Sequence, residues 1–525
     1  MATELEALRL VAILENELEN RRGPADRFER YYESDQPLAF ASETFRKNFG
    51  KQYEGFADNW TQVVADSPVE RMTVTGVKPA GTDKADDELW GVWQANNLDC
   101  DSQLGFLGSA VGSRSFVYVW GNDADPDVPT VQFLDTTEAV VAYVPGSRYE
   151  RRAALRVFQD GDHECATLYL PDERWRFRRV LRRQAKSAQM AEADTEMDLW
   201  LPPSEKARQD AEHAWATVAG AEPNPMGCVP IIELPNRPRL VRDPISDIAG
   251  VAAMQDAVNL LWAQLFTTSD FASFPQRVVM GMERPKIPIL DKDGQKIGER
   301  PMDLAKFAVD RLLWLEDPNT KISEWQAARL DVYTGVLEVA VGHIAAQTRT
   351  PQHYLVGKMA NLSGDALIAA EAGLVKKCGE KQLWWGAAVR EMFRLVALAM
   401  NNAKKAKAIR SGTLLWADTE SRSRTQLADA LVKLRQVGFP FAYLAAHYGL
   451  SPSEVADLVA MREKEADLDP LAQMVNPKPL GGPEERTAPA AEAQDDEDQE
   501  QDEGQEPDAP APARRRRRVP VGARR

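Results

Sequence analysis

The chain has 525 residues and a net charge of −16, with hydrophobic residues making up 44%. One hydrophobic core stops growing at roughly 250–300 residues, so this length predicts several cores, and the absence of any run of about 18 apolar residues argues against a membrane-spanning helix. An acidic chain is either unrelated to nucleic acid or lets it slide past without sticking, because proteins that grip phosphates usually present a basic surface.

The first predicted elements are helices. Apolar residues recur every three or four positions along residues 3–21, which is the spacing of one helical face. A second helix is predicted near residues 45–65, where Phe49, Phe56 and Trp60 lie along the segment.

Between about residues 72 and 234 the hydrophobic period shortens to that of strands. Segments rich in Val, Tyr, Phe and Thr are bounded there by clusters of Gly, Pro, Asn and Asp. The predicted strands are 71–77, 115–120, 131–133, 140–144, 154–158 and 165–170. Residues 185–225 are polar and Ala-rich and are predicted to form a helix or a long excursion, so that residues 30–240 make one α+β domain.

Helical periodicity then returns. Ser246 can cap a helix that runs to about Thr268, and Phe274-Pro275 breaks it. Short strands are predicted over 276–323, with a hairpin turn at residues 291–294, where the sequence is Asp-Lys-Asp-Gly. Further helices are predicted at 324–347, from Ser363 or Asp365 to Met400, and at 423–466.

The last part of the chain, from Pro477, is rich in Pro, Ala and Gln. Ten acidic residues lie between Glu492 and Asp508, and a run of five arginines follows. These are Arg514, Arg515, Arg516, Arg517 and Arg518. Such a segment has too little apolar surface to offset its ordering entropy, which predicts disorder.

The candidate ligand-binding motifs are incomplete. Residues 76–81 have the glycine spacing of a phosphate-binding loop, but Thr82 stands where the lysine must be, so a strand-end turn is the better interpretation. Residues 291–295 resemble the start of a calcium loop. Their glycine is at position four rather than six, and Met302 replaces the bidentate glutamate, which favours a hairpin turn.

Cysteine and tryptophan usage gives no site either. The cysteines form no CxxC pair, which fits a reducing cytoplasm and argues against a disulfide scaffold or a zinc knuckle. Trp90, Trp93, Trp384 and Trp385 fall where helices would bury them, in a core or a subunit interface. The residues therefore indicate an assembly protein that is not an enzyme and has no metal site and no cofactor.

A series of ordered sequence blocks goes further than this. The blocks are residues 30–33 (RYYE), 59–60 (NW), 63–72 (VVADSPVERM), 93–99 (WQANNLD), 112–120 (GSRSFVYVW), 229–232 (VPII), 236–238 (NRP), 255–259 (QDAVN), 271–277 (FASFPQR), 350–355 (TPQHYL) and 363–367 (SGDAL). Each block alone is weak. Their order over about residues 25–400 resembles the portal proteins of tailed phages that infect actinobacteria.

This resemblance implies a portal fold, which is α+β and mostly helical. The implied regions are an N-terminal helix (1–29), an α+β wing (30–243), a stem helix (244–270), a small β-containing clip (271–323), a second stem helix (324–347), a tunnel loop (348–363), a long kinked wing helix (364–402), a helical crown (403–476) and a disordered, acidic then Arg-rich tail (477–525). A lone pair of stem helices has too little partner surface unless neighbouring subunits supply it.

The resemblance also implies a role without catalysis. Portal proteins form a homo-oligomeric ring, usually a dodecamer, at one capsid vertex of the virion, and they assemble in the host cytoplasm. Double-stranded DNA is packaged and ejected through the ring. The implied partners are the terminase large subunit, the major capsid protein, head–tail connector proteins and scaffold protein, with no membrane.

The residues expected to approach DNA lie in or beside the tunnel loop. An acidic channel lining would repel phosphate, while a few cations at the constriction would make weak, salt-sensitive contacts. The candidates are Gln347, Arg349, His353, Lys358 and Asn361. The alternative is that these side chains satisfy helix ends or neighbouring subunits. The arginine run of the tail, 514–518, is a second candidate for nucleic-acid contact, against a role in solvation only.

Two other functions stay open on the sequence. Another phage head protein, such as a capsid or scaffold subunit, would not need two helices interrupted by a hairpin. A packaging enzyme such as a terminase would need a phosphate loop, and the nearest match lacks its lysine.

Overall fold

The computed structural model gives the conformation of most of the chain. The described residues are 2–36, 40–43, 47, 56–82, 84–180, 214–273, 277–280, 286–290, 295–301, 312–315, 330–356, 364–420, 424–450 and 452–468. The chain forms two compact units, Met1–Met461 and Arg462–Arg525.

Helices and strands occur in blocks along the described part of the chain. Its helices are α1 (Glu4–Tyr32), α2 (Trp60–Val69), α3 (Asp87–Ala95), α4 (Leu98–Gly112), α5 (Ala252–Ser273), α6 (Asp331–Thr348), α7 (Gln352–Val356), α8 (Gly364–Ala399), α9 (Ala403–Arg410), α10 (Arg424–Gln436), α11 (Phe441–Tyr448) and α12 (Pro452–Leu468). Its strands are β1 (Val74–Lys78), β2 (Arg114–Trp120), β3 (Thr130–Leu134), β4 (Ala139–Tyr143), β5 (Arg151–Asp160), β6 (His163–Tyr169), β7 (Glu173–Val180), β8 (Ala216–Pro223), β9 (Ile231–Pro235), β10 (Arg277–Met280), β11 (Lys286–Leu290), β12 (Lys296–Pro301), β13 (Leu312–Leu315) and β14 (Thr413–Trp416).

The described strands form five sheets. The largest is an antiparallel meander in the order β4-β5-β6-β7-β8, and a second sheet has the order β3-β2-β9. β1 pairs with β14, β11 with β12, and β10 runs parallel to β13. The pairing of β1 with β14 joins residues more than 300 positions apart, so the chain after α8 returns to a strand near the start of the fold.

α1 covers one face of the meander. Thr3 and Glu6 form a capping box that satisfies the first free N–H groups of the helix. Val11, Leu14 and Leu18 then bury one apolar stripe against residues of β5, β6 and β7. Each fully buried side chain of this size contributes about 1.5–3 kcal/mol, so packing on the sheet rather than helix propensity holds α1 in place.

The largest core surrounds α8. Trp385, Met392 and Phe393 of this helix are fully or almost fully buried, among residues of α3, α4, β1 and β2. The Trp385 ring stacks on Phe106 at 4.8 Å, and its Nε1 donates to Ser109 Oγ at 3.1 Å. Trp93 lies in the same core and stacks on Phe393 at 5.7 Å. The prediction that Trp93 and Trp385 are core residues is confirmed.

α5 and α6 pack against each other in a separate cluster. Val258 and Leu265 of α5 meet Leu337 and Ile344 of α6, and Leu355 of α7 joins them. These positions follow the three-to-four spacing of an amphipathic helix, so one face of each helix is committed to the pair.

Much of the predicted secondary structure is confirmed. The mixture of helices and strands agrees with an α+β fold that is mostly helical, and α8 spans 364–399 where a helix was predicted from Ser363 or Asp365 to Met400. The six predicted strands correspond to β1–β6. β11 and β12 form the expected hairpin on either side of residues 291–294, with Ile289 opposite Gly298.

Several predicted boundaries are wrong. The N-terminal helix continues through Pro24 to Tyr32 rather than ending near residue 21 or 29. Buried Ala25 and the bond from Tyr31 Oη to Asp256 (2.8 Å) hold its last turns, which offsets the hydrogen bond that Pro24 removes. Within the predicted segment 45–65, α2 begins at Trp60, where the Asn59 side chain accepts from the N–H groups of residues 61 and 62. Residues 48–55 of that segment lie outside the described residues.

Two further predictions need correction. Residues 216–223, placed in a helix or excursion, form strand β8, because pairing with β7 overrides their Ala-rich composition. Ser246 accepts from the N–H of Ile248 at 3.1 Å but does not cap α5, which begins at Ala252.

Candidate functional site at the end of α6

The predicted loop 348–363 begins with a defined stop to α6. Arg349 has φ +57, a left-handed conformation, and its N–H is bonded to the last turn of the helix. Pro351 follows, and residues 352–356 form the short helix α7 rather than loop. Within the described residues, the segment after α6 is therefore a tight turn and one helical turn.

Arg349 is anchored to α8. Its two terminal nitrogens donate to both carboxylate oxygens of Glu380, at 3.0 and 2.8 Å. The bond to Glu380 raises the pKa of Arg349, and the same bond lowers the pKa of Glu380. This bidentate geometry ties the end of α6 to the middle of α8.

A second contact set fastens α7 to α8. Glu371 of α8 is buried and receives Arg71 Nη2 at 3.2 Å and the hydroxyl of Tyr354 at 3.3 Å. Arg71 Nη2 also donates to the Tyr354 hydroxyl at 2.6 Å. His353 Nε2 lies 3.8 Å from a Glu371 oxygen. The side chains of Tyr354 and His353 therefore hold α7 against α8.

The predicted DNA-contact residues have different surroundings. Arg349 and His353 both contact carboxylates of α8, which favours the alternative that they satisfy neighbouring structure. Gln347 is exposed on the last turn of α6. Lys358 and Asn361 lie outside the described residues, as do Arg514, Arg515, Arg516, Arg517 and Arg518.

A buried charge cluster lies beside the end of α6, and the sequence analysis missed it. The carboxylate of Asp247 is 2.9 Å from Lys381 Nζ and 3.2 Å from Lys377 Nζ. Asn236 bridges the same groups, donating to Asp247 Oδ1 at 3.1 Å and accepting from Lys381 Nζ at 2.6 Å. The only signal in the sequence is the pair of lysines four residues apart on the apolar face that also carries Cys378 and Trp385.

Burial sets the protonation behaviour of this cluster. The side chains of Asp247 and Lys381 are each 1% exposed. Loss of hydration lowers the pKa of Lys381 to about 8, although the Asp247 carboxylate works in the opposite direction. The two lysines hold the pKa of Asp247 below its ordinary value despite the opposing effect of burial. The carboxylate is thus ionised across the neutral range.

The same cluster borders a small cavity of about 50 Å³. Its walls come from the end of α6, from α8 and from the segment between β9 and α5. The charged lining residues are Arg237, Asp247, Arg349, Lys377, Glu380 and Lys381.

The outer face of α6 carries an apolar stripe. Val332, Val336 and Val339 are 56%, 47% and 58% exposed and lie on the side away from α5. Three β-branched apolar residues at this spacing form one continuous ridge, because positions three and four apart are neighbours on a helix. The chain by itself leaves this ridge in contact with solvent.

Metal binding and membrane insertion would each need features of another kind. In the part of the chain that the structure describes, His, Cys, Asp and Glu side chains nowhere group in threes as a metal ion would require. Among the described helices, none combines the length and the apolar character needed to cross a membrane.

Comparison with known proteins gives the family. A family model described as phage portal protein, SPP1 Gp6-like, matches residues 12–440, from α1 through the end of α10. The chain belongs to this family. Its function is that of a phage portal protein, a structural component of the virion, and the family implies a homo-oligomeric ring.

Curated relatives agree with this assignment. The portal protein of Mycobacterium phage D29 is 29% identical over 443 residues, which cover 80% of this chain and 82% of that protein. The portal protein of Mycobacterium phage L5 is 29% identical over 455 residues, covering 82% and 84%. The resemblance to actinobacteriophage portals that the ordered sequence blocks indicated is confirmed.

Proposed function

We propose that this portal protein forms a dodecameric ring at one capsid vertex and conducts double-stranded DNA into and out of the head without catalysing a reaction. The ring assembles in the host cytoplasm before it becomes part of the virion. The terminase large subunit, the major capsid protein, head–tail connector proteins and scaffold protein are its proposed partners.

The exposed ridge of Val332, Val336 and Val339 on α6 is the observation that supports a ring. A helix with one face packed on α5 and a second apolar face exposed needs another surface to cover it. Covering the exposed half of three valines contributes about 2–4 kcal/mol per contact, because full burial of such a side chain contributes about 1.5–3 kcal/mol. Repeated around a closed ring, each subunit gives and receives one such contact.

The order of elements supports the regional plan of a portal. α5 and α6 have 22 and 18 residues and pack against each other, which suits a stem. The strands β10–β13 between them suit a clip that meets the packaging motor and later the connector. We assign residues 30–243 to the wing, 364–402 to the long wing helix and 403–476 to the crown. The tail 477–525 follows as a separate charged segment.

The loop between α6 and α8 is proposed to face the channel. Arg349 and His353, held by Glu380 and Glu371, position the start of this loop, whereas exposed Gln347 keeps its side chain available for a polar contact with the duplex. Lys358 and Asn361 remain proposed DNA contacts. The arginines 514–518 remain a proposed second contact with nucleic acid.

Electron microscopy and mass photometry of the purified chain test the proposal. Twelve subunits of 58.4 kDa predict particles of about 700 kDa with a central channel. Closed shells without a channel would identify another head protein instead. Hydrolysis of ATP by the pure chain would identify a packaging enzyme.

A further inference from the structure

The cavity beside the end of α6 has more positive than negative charge around it. Four cationic side chains line it, against the carboxylates of Asp247 and Glu380. Glu380 is already engaged on both oxygens by Arg349. Asp247 is therefore the single counter-charge for two lysines whose side chains are 8% and 1% exposed.

Lys377 also keeps a donor in excess, whereas the Lys381 ammonium meets Asp247 (2.9 Å), Asn236 Oδ1 (2.6 Å) and the ring of Trp385 (4.4 Å). Each lysine has three N–H groups. Among the described residues, Lys377 Nζ meets two oxygens, one of Asp247 (3.2 Å) and the carbonyl of Val64 (3.3 Å). Arg237, also in the lining, adds a guanidinium from the exposed side of the cavity.

A buried positive charge without a partner is costly, so the excess must be removed. One remedy is loss of a proton from a lysine, and the other is a bound anion. The cavity has room for the second, because a water molecule needs roughly 10–15 Å³ measured in the same way and this cavity offers about 50 Å³. The lining provides the N–H donors that a tetrahedral oxyanion accepts.

We propose that this cavity binds a small oxyanion of the phosphate class, held by the N–H groups of Lys377 and Arg237 beside the buried charge of Lys381. The ion neutralises the excess charge and links α8 to the segment before α5. Since Gln347 and Thr348 border the same cavity, the ion also stiffens the base of the α6–α8 connection. The site depends only on the fold of one chain and not on the proposed ring.

Calorimetric titration of the full chain with inorganic phosphate, at constant ionic strength in chloride buffer, tests the site. We expect saturable binding with one phosphate per chain. Lys377→Met should raise the dissociation constant at least tenfold, while Asp247 and Lys381 keep a neutral pair that preserves the fold. Arg237→Met, at an exposed position, should raise it severalfold and leave the fold intact.

Matched controls exist on the same elements. Lys376→Met removes the same charge from the neighbouring position of α8, and Arg242→Met does so in the segment before α5. Neither residue lines the cavity, and both variants should bind phosphate as the parent does. Absence of saturable binding, or equal weakening by Lys376→Met and Lys377→Met, would overturn the proposal.

Competition distinguishes the two sources of a phosphate group. A short DNA duplex that displaces inorganic phosphate would identify the sugar–phosphate backbone as the ligand. A duplex that leaves phosphate binding unchanged would identify a free ion, which is the expected outcome for a recessed cavity of this size.

Discussion

Replacing Asp247 by Asn is the most direct test of the buried charge cluster. The amide keeps the shape of the side chain and its bond from Asn236, but leaves Lys377 and Lys381 without a counter-charge. With an effective dielectric constant of about 20, charges at 2.9 and 3.2 Å attract by roughly 5–6 kcal/mol each. Desolvation of the carboxylate and the repulsion between the lysines offset part of this attraction. The expected loss is about 3–5 kcal/mol in the free energy of unfolding, the range for removing one partner of a buried ion pair.

Guanidinium denaturation in phosphate-free buffer measures this loss. Tryptophan fluorescence is a suitable signal, because Lys381 Nζ lies 4.4 Å from the ring of buried Trp385. Asp243→Asn is the matched control: its side chain is 86% exposed and pairs with Arg114 at 2.8 Å, so about 0–1 kcal/mol is expected. Equal losses for the two variants, or a loss below about 1 kcal/mol for Asp247→Asn, would refute the reasoning.

Three further predictions follow from the same geometry. Because the pKa of Lys381 falls from about 10.5 in the unfolded chain to about 8 in the native state, the unfolded chain binds the extra proton between these values. Stability should therefore rise as pH increases from 8 to 10.5, and Lys381→Met should abolish the rise in a pH series of denaturation midpoints. Arg349→Met breaks a half-exposed ion pair with Glu380 and should cost less than about 1 kcal/mol, with ring assembly unchanged by mass photometry. Val336→Asp places a charge in the proposed α6 contact and should leave monomers, whereas Val218→Asp, at a similarly exposed valine of β8, should still form rings.

Much of the fold follows from local sequence signals. Three features depend only on neighbours in the chain, so they were predicted with small boundary errors. They are the strands β2–β6, the hairpin on either side of residues 291–294, and the helical spacing of apolar residues along α8. The family also follows from the sequence, because ordered blocks spread over most of the chain are specific as a set. A phosphate-binding loop also depends on neighbouring residues, so the sequence shows that residues 76–81 are followed by Thr82 instead of the lysine such a loop needs.

The remaining features depend on contacts between distant residues. α1 passes Pro24 because Tyr31 reaches Asp256, and β8 is a strand because β7 offers it an edge. The tunnel-loop candidates Arg349 and His353 read as free cations in the sequence, whereas folding gives both a carboxylate partner on α8.

The buried charge cluster shows the limit most clearly. Lys377 and Lys381 have the spacing of core positions, and a lysine in the sequence is normally expected at the surface. Their partner Asp247 lies more than 100 residues earlier, and only the packing of α8 against the segment before α5 brings the three charges together. Periodicity determines which residues share a face of a helix. Tertiary structure decides which face is closed to water, and with it whether a charge is a solvated side chain or a binding group.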